Sequence, residues 1–114
     1  MAAFQTDHEG DVSILTISGR LEPNAWKDLK DTIEVLTKGT DARHLLIDLG
    51  ALDYMGSAGF RELFLAGRSL ARHGKKLAVC SLQGEVRRIF EIAKFETAYP
   101  ILLTREAGLA ALRE

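Results

Sequence analysis

The sequence lacks the features that would indicate secretion or insertion into a membrane. It contains one cysteine, Cys80, which has no second cysteine for an intrachain disulfide, so we expect a reducing compartment. It has no run of about 18 apolar residues that could cross a membrane, and its first stretch, MAAFQTDHEG, lacks the basic start and apolar core of a signal peptide. We therefore expect a cytoplasmic protein with no direct membrane insertion.

The charged and metal-ligating residues exclude further classes of partner. The chain has 15 Lys and Arg against 16 Asp and Glu, a net charge of −1, so nothing in its bulk charge attracts nucleic acid. His8, His44 and His73 are scattered and, with one cysteine, give no metal-ligand spacing. Neither a Walker-type phosphate loop nor a dinucleotide-binding glycine motif occurs. We predict no nucleic-acid partner, no metal and no cofactor.

Length and composition are those of an ordinary globular domain. The chain has 114 residues, 46% of them hydrophobic and 27% charged, which is enough to form one hydrophobic core. No repeat, low-complexity segment or linker divides it. We therefore expect residues 1–114 to form a single domain.

The first part of the chain predicts a hairpin. Residues 4–7 and 12–18 are rich in residues that favour strands, and the turn-forming stretch HEGD separates them. Apolar residues of the second strand point to both faces, Val12 and Ile14 to one and Leu15 and Ile17 to the other. We expect this strand to lie inside the sheet.

The next segment predicts a helix and a buried strand. Pro23 suits the first turn of a helix, and Gly39 suits its end. Between them, apolar residues at helical spacing predict a core-facing stripe of Trp26, Leu29, Ile33 and Leu36. For Trp26, an exposed partner contact is the alternative. Residues 44–49, HLLIDL, form a nearly continuous apolar run typical of a buried parallel strand.

The middle of the chain repeats the pattern of helix and strand. A helix is predicted over residues 57–72, and Gly74 suits its end. Its apolar stripe comprises Phe60, Leu63, Phe64, Gly67, Leu70 and Ala71. The segment KLAVC predicts a third parallel strand, in which Cys80 acts as a small buried hydrophobe.

The last segments complete the predicted order. Ser81 is expected to begin a shorter helix whose inward residues are Val86, Ile89, Phe90 and Ala93. After Pro100 the run ILL predicts an edge strand, and Thr104 suits the N-cap of a final helix that buries Leu109 and Leu112. The resulting order, ββαβαβα(β)α, predicts the α/β class: a mixed, mostly parallel β-sheet with helices packed on it.

Ser57 is the candidate functional residue that the residues themselves indicate. It follows Gly56 at a predicted strand-to-helix turn and precedes two small residues, Ala58 and Gly59. Small side chains let another molecule approach the backbone, and the first N–H groups of a helix favour anions. A purely structural interpretation is also open, in which Ser57 caps the helix and Gly56 supplies a positive φ.

The surroundings of Ser57 argue against a hydrolase, and we predict that the protein is not an enzyme. The nucleophile motif Gly-x-Ser-x-Gly requires glycine where Met55 stands. His73 lies on the same predicted helix about 24 Å away, and no aspartate follows Asp53. A serine, acid and histidine triad therefore cannot form.

Four stretches of the chain, SGRLEPNA, RHLLIDLGALDYMGSAG, KKLAVCS and EVRRIFEIAKF, resemble the STAS family in sequence, order and spacing. The family is named for sulfate transporters and anti-sigma factor antagonists. Members of the antagonist type carry Asp-Ser-Ser/Thr-Gly at the central turn, and the Ser after the Asp receives phosphate from a partner kinase. Ser57 occupies that position, with Gly56 in place of the Asp and Ala58 in place of the second hydroxyl residue.

The resemblance implies a STAS-like fold and a phosphorylation-controlled protein-binding switch. The chain would bind a serine kinase or anti-sigma factor while Ser57 is unphosphorylated, and it would be a monomer or weak dimer. Glu22 stands where the family has an acidic residue in the segment Gly-x-Leu-Asp. The implied partner-binding residues are Glu22, Asn24, Met55, Gly56, Ser57, Ala58, Gly59 and Phe60.

Two other functions remain open. The first is a STAS scaffold that takes no phosphate, such as a cytoplasmic subunit of a lipid or anion transport assembly, and Gly56 and Ala58 favour it. The second is a small-ligand sensor with an anion pocket at the helix start, for which the sequence offers no convergent set of polar residues.

Overall fold

Within the residues that the structure describes, 1–38 and 41–114, five strands form one mixed sheet whose spatial order follows the chain. The structure is a computed structural model. Strand β1 is antiparallel to β2, and strands β2 to β5 are parallel to one another. The bounds are β1 Ala2–Glu9, β2 Val12–Leu21, β3 His44–Met55, β4 Leu77–Cys80 and β5 Ile101–Leu102. The predicted mixed, mostly parallel sheet is confirmed.

Strands β1 and β2 form the predicted hairpin, and both strands are longer than predicted. Glu9 pairs with Val12, so the turn consists of Gly10 and Asp11. Gly10 has a φ of 55°, a left-handed conformation that a residue without a Cβ adopts readily.

The helices occupy the predicted places between the strands. They are α1 Trp26–Thr37, α2 Ser57–Ala71, α3 Gly84–Ile92 and α4 Arg105–Leu112, with short 3-10 turns at Pro23–Ala25 and Phe95–Thr97. Gly39, the predicted end of the first helix, lies outside the described residues. Among the residues that are described, no helix combines the length and apolar character needed to cross a membrane.

The sheet has a hydrophobic layer on each face, as the alternation in β2 predicts. On one face, Leu15 and Ile17 of β2 belong to the core beneath helices α1, α2 and α3. On the other face, Val12 and Ile14 pack with Leu109 and Leu112 of helix α4. Both faces of the central strands are therefore removed from water.

Polar contacts hold the start of helix α4 against the sheet. Thr104 caps the helix as predicted, because its Oγ1 accepts a hydrogen bond from the Ala107 N–H at 3.1 Å. Arg105 donates from Nε to Asp48 Oδ2 at 3.0 Å and from Nη2 to Thr16 Oγ1 at 3.0 Å. These bonds join the helix to strands β3 and β2.

An aromatic cluster fills the space beneath helices α2 and α3. Phe90 and Phe95 are fully buried, and Phe60 lies 4.8 Å from Phe90 between ring centroids. Tyr99 packs directly on Gly67 of α2, so that a Cβ at position 67 would overlap the tyrosine ring. The helix can approach Tyr99 because residue 67 has no side chain.

The structure corrects the prediction for Trp26. We expected this residue in the core, but it is 40% exposed. Helix α2 lies beside α1 and begins with Ser57 and Ala58, which line the same hollow as Trp26. Their side chains are too small to cover the indole ring.

Predictions at three helix ends are also wrong. Ala71 and Ala93 are exposed, because each lies at the C-terminal end of its helix rather than over the sheet. Ser81 does not begin α3, which starts at Gly84. Its N–H instead donates to Leu102 O at 3.1 Å in the sheet, and its φ of 66° is left-handed.

Candidate functional site

Strand β3 leads into helix α2 through a single residue, Gly56. The sequence predicted that the strand ends near Leu49, but β3 continues to Met55, which pairs with Leu21 of β2. The pairing of β2 with β3 contains two irregularities, after Thr16 and after Gly19, at which β3 accommodates additional residues. The turn-like segment between Leu49 and Met55 is therefore part of a bulged strand.

Gly56 is the N-cap residue of helix α2. Its φ of −80° and ψ of 168° are extended, so the interpretation that it supplies a positive φ is wrong. Its N–H donates to Leu21 O at 3.2 Å, and its carbonyl accepts from the Phe60 N–H at 3.2 Å. The first bond joins the helix start to the end of strand β2, and the second is the first hydrogen bond of the helix itself.

Ser57 is exposed and is the first residue of helix α2. No side chain caps this helix start, so the interpretation that Ser57 is there to cap the helix is wrong. The hydroxyl group is on the surface, at the end of the helix where the backbone N–H groups favour negative charge. The Ser57 side chain is therefore accessible to another molecule.

Ser57 lies at the edge of an open hollow of about 430 Å³ between helices α1 and α2. The hollow is lined by Trp26, Ser57, Ala58, Arg61 and Glu62. Glu62 is only 8% exposed, although its side chain is polar. The surface beside the serine therefore combines an aromatic ring with one basic and one acidic side chain.

Sequence reasoning missed three members of this hollow. The helical spacing favours the core for Trp26, and no pattern in the sequence singles out Arg61 or Glu62. Arg61 could have been found, because a residue four positions after Ser57 lies on the same side of a helix. The approach of Trp26 to the start of α2 depends on how α1 packs against α2 and has no local signal in the sequence.

Glu22 and Asn24 lie at the same edge of the sheet as Ser57. Because Leu21 pairs with Met55, the residues that follow these two strands are neighbours. Both Glu22 and Asn24 are exposed, but they line a separate hollow of about 400 Å³. The structure therefore places these two residues beside the serine turn without placing them in the same hollow.

Arg20 and Glu22 form an ion pair on this second surface. Arg20 Nε donates to Glu22 Oε1 at 3.3 Å, and the guanidinium carbon lies 4.7 Å from the centroid of the Tyr54 ring. Both partners of the ion pair are about half exposed, so it contributes little to stability. Its effect is to hold the acidic group of Glu22 near the end of β2.

The remaining predicted partner-binding residues differ in exposure. Gly56, Ala58 and Phe60 are half-buried, whereas Met55 is 3% exposed and Gly59 is buried. A Cβ at Gly59 would lie 2.7 Å from Leu21 Cδ2, so this glycine lets the helix approach strand β2. Met55 and Gly59 therefore lie on the buried side of the turn.

Comparisons with known proteins agree with this fold. The sequence profile of the STAS domain family matches residues 3–107. A Bordetella bronchiseptica protein, BtrV, whose name assigns it to the anti-sigma factor antagonists, is 39% identical over 71 residues. That match covers 62% of this chain and 61% of BtrV, so the two proteins align over less than two thirds of their lengths.

Solved structures of anti-sigma factor antagonists have the same architecture. One from Mycobacterium paratuberculosis has a TM-score of 0.90 at 22% identity, covering 100% of this chain and 96% of that one. The antagonist SpoIIAA in its unphosphorylated form has a TM-score of 0.83 at 18% identity, covering 97% and 96%. The phosphorylated form of Bacillus SpoIIAA has a TM-score of 0.77 at 16% identity, covering 97% and 100%. At these identities the similarity establishes the fold.

Proposed function

The chain belongs to the STAS domain family, and we propose that it is a protein-binding switch of the anti-sigma factor antagonist type. In this proposal it binds a serine kinase that also acts as an anti-sigma factor, and it does so while Ser57 is unphosphorylated. Phosphorylation of Ser57 releases the partner. The role is regulatory and assigns no catalysis to this chain.

The exposed hydroxyl of Ser57 is the observation that carries the proposal. It lies at the first residue of α2, does not cap the helix, and is bordered by the small residues Gly56 and Ala58. A kinase can therefore reach the oxygen, and a partner surface can lie close to the backbone. The relative BtrV is named as an anti-sigma factor antagonist, and SpoIIAA has been solved both with and without phosphate.

The switch would act through charge in a closely packed interface. Phosphorylation adds about −1.5 to −2 charges, which water and the N-terminus of α2 accommodate in the free protein. Covering that charge without a partner costs several kcal/mol. Because each 1.4 kcal/mol is about tenfold in affinity, we expect a loss of roughly a thousandfold without a change of fold.

Binding measurements with matched variants test this proposal. The partner is first isolated from the source cell on the immobilised, unphosphorylated chain, and its affinity is then measured for the wild type and for Ser57→Ala, Ser57→Gln and Ser57→Glu. Gln matches Glu in size but has no charge, so the proposal predicts that Glu binds much more weakly than Gln. Equal affinities of these two variants would exclude a charge switch at Ser57.

A second candidate is a STAS scaffold that takes no phosphate, such as a subunit of a lipid or anion transport assembly. The replacements at Gly56 and Ala58 favour it, because both differ from the phosphorylated motif of the family. Incubating the chain with its partner kinase and ATP, followed by mass spectrometry, separates the two candidates. Phosphate on Ser57 supports the switch, and an unmodified chain supports the scaffold.

A further inference from the structure

Arg61 lies one helical turn after Ser57 on the same side of α2. Residues four apart on a helix are separated by about 40° around its axis and have Cβ atoms about 5–6 Å apart. Both side chains are exposed, and both line the hollow beside Trp26. The guanidinium of Arg61 is therefore within reach of a group attached to the Ser57 oxygen.

Arg61 is also available for such a contact. In the described part of the chain, the ion pairs of arginine involve Arg20, Arg87, Arg88 and Arg105, and Arg61 forms none. A planar guanidinium can bind two oxygens of a phosphate at once through parallel N–H donors. No competing carboxylate has to be displaced from Arg61 before it pairs with a phosphate.

We propose that Arg61 pairs with the phosphate on Ser57 in the modified protein, as a positioning residue that holds the phosphate against helix α2. This inference rests on the proposed phosphorylation of Ser57. In the unmodified protein the guanidinium of Arg61 faces solvent beside the serine. In the modified protein it pairs with the phosphate but offsets only one of its charges, so a net negative group stays on the partner surface.

The other residues of the hollow do not prevent this pairing. Trp26 and Ala58 carry no charge. Glu62 is acidic and repels the phosphate, but it follows Ser57 by five positions and is therefore about 140° away around the helix axis. Glu62 is also held by packing at 8% exposure, whereas the exposed Arg61 side chain can extend to direct contact.

The test uses phosphoserine incorporated at position 57 during translation, so that it does not depend on the kinase. Titration followed by ³¹P NMR gives the pKa of the phosphate in the wild type and in Arg61→Gln, Arg61→Lys and Arg68→Gln. An opposite charge at this spacing favours the dianion, so Arg61→Gln should raise the pKa of the phosphate by about 0.1–0.4. Arg61→Lys should retain part of the effect.

Arg68→Gln is the matched control. Arg68 is also exposed on α2, but it lies about 16 Å along the helix from Ser57. Arg68→Gln should therefore leave the pKa of the phosphate unchanged. If Arg61→Gln gives the same phosphate pKa as the wild type, the pairing is refuted. If the pairing is present but the kinase does not modify Ser57, the pairing stands and the proposed switch fails.

Discussion

Replacing Gly56 with aspartate should stabilise the protein, because the backbone at this position already has the conformation of an N-cap. Its φ of −80° and ψ of 168° are allowed for any residue, and no side chain now caps helix α2. A Cβ at position 56 would meet its nearest neighbour, Tyr54 Oη, at 3.7 Å, an ordinary van der Waals contact. An aspartate therefore fits and can accept a hydrogen bond from the N–H of Ala58 or Gly59.

Two contributions set the expected size of the effect. An aspartate at the N-cap is better than glycine by a few tenths of a kcal/mol. Replacing glycine where the backbone permits it also lowers the entropy of the unfolded chain, which adds about 0.4–1 kcal/mol. Their sum is about 1 kcal/mol, which corresponds to a rise in Tm of roughly 4 °C for a chain of this length.

Urea unfolding followed by circular dichroism measures the effect, with Gly56→Ala as the matched control. Alanine gains the entropic contribution, but it is disfavoured at an N-cap, so its stability should stay near that of the wild type. Gly56→Asn can also cap the helix but adds no charge, so its comparison with Gly56→Asp separates the effect of capping from the effect of charge. If Gly56→Asp is no more stable than Gly56→Ala, the capping geometry inferred for this turn is wrong.

Three further predictions concern other parts of the molecule. Gly67→Ala should lower the free energy of unfolding by about 1–3 kcal/mol, because the added methyl overlaps the Tyr99 ring, and urea titration measures the loss. His44 Nδ1 accepts from the Lys76 N–H at 3.0 Å, and burial lowers its pKa. The neutral His44 side chain therefore stabilises the fold above pH 6.5, and this stabilisation is lost as the pH falls through the lower pKa of the folded protein. The free energy of unfolding of the wild type should fall between pH 7.5 and pH 5, and His44→Asn should remove this part of the fall. Burial raises the pKa of the Cys80 thiol to about 11, so iodoacetamide should modify Cys80 only in urea, and rapid labelling of the folded protein would contradict its burial.

The fold could be predicted from the sequence because its strands and helices carry strong periodic patterns. The apolar run from Leu45 to Leu49 indicates a strand covered on both sides, and the helical spacing of Leu29 and Ile33 indicates the buried face of α1. These patterns depend only on neighbouring residues. They can therefore be recognised without knowing how the elements pack.

The hollow beside Ser57 could not be predicted in the same way. Trp26 and Ser57 are far apart in the sequence, and their contact depends on the packing of α1 against α2. The extended conformation of Gly56 likewise follows from its bond to Leu21 on another strand. Glu62 is the clearest case, because an acidic residue in an amphipathic helix is normally assigned to solvent, whereas here it is buried between helices.

The position of helix α4 affects the order in which the parts of the protein can fold. Within the described residues, Leu109 and Leu112 of α4 cover Val12, Leu46 and Ala78 on one face of the sheet. A nascent chain on the ribosome exposes that face until residue 112 has emerged from the exit tunnel. Exposed apolar surface of this kind promotes aggregation of folding intermediates. The sheet therefore becomes fully covered only after helix α4 has packed, which makes the end of the chain the last part needed for a protected core.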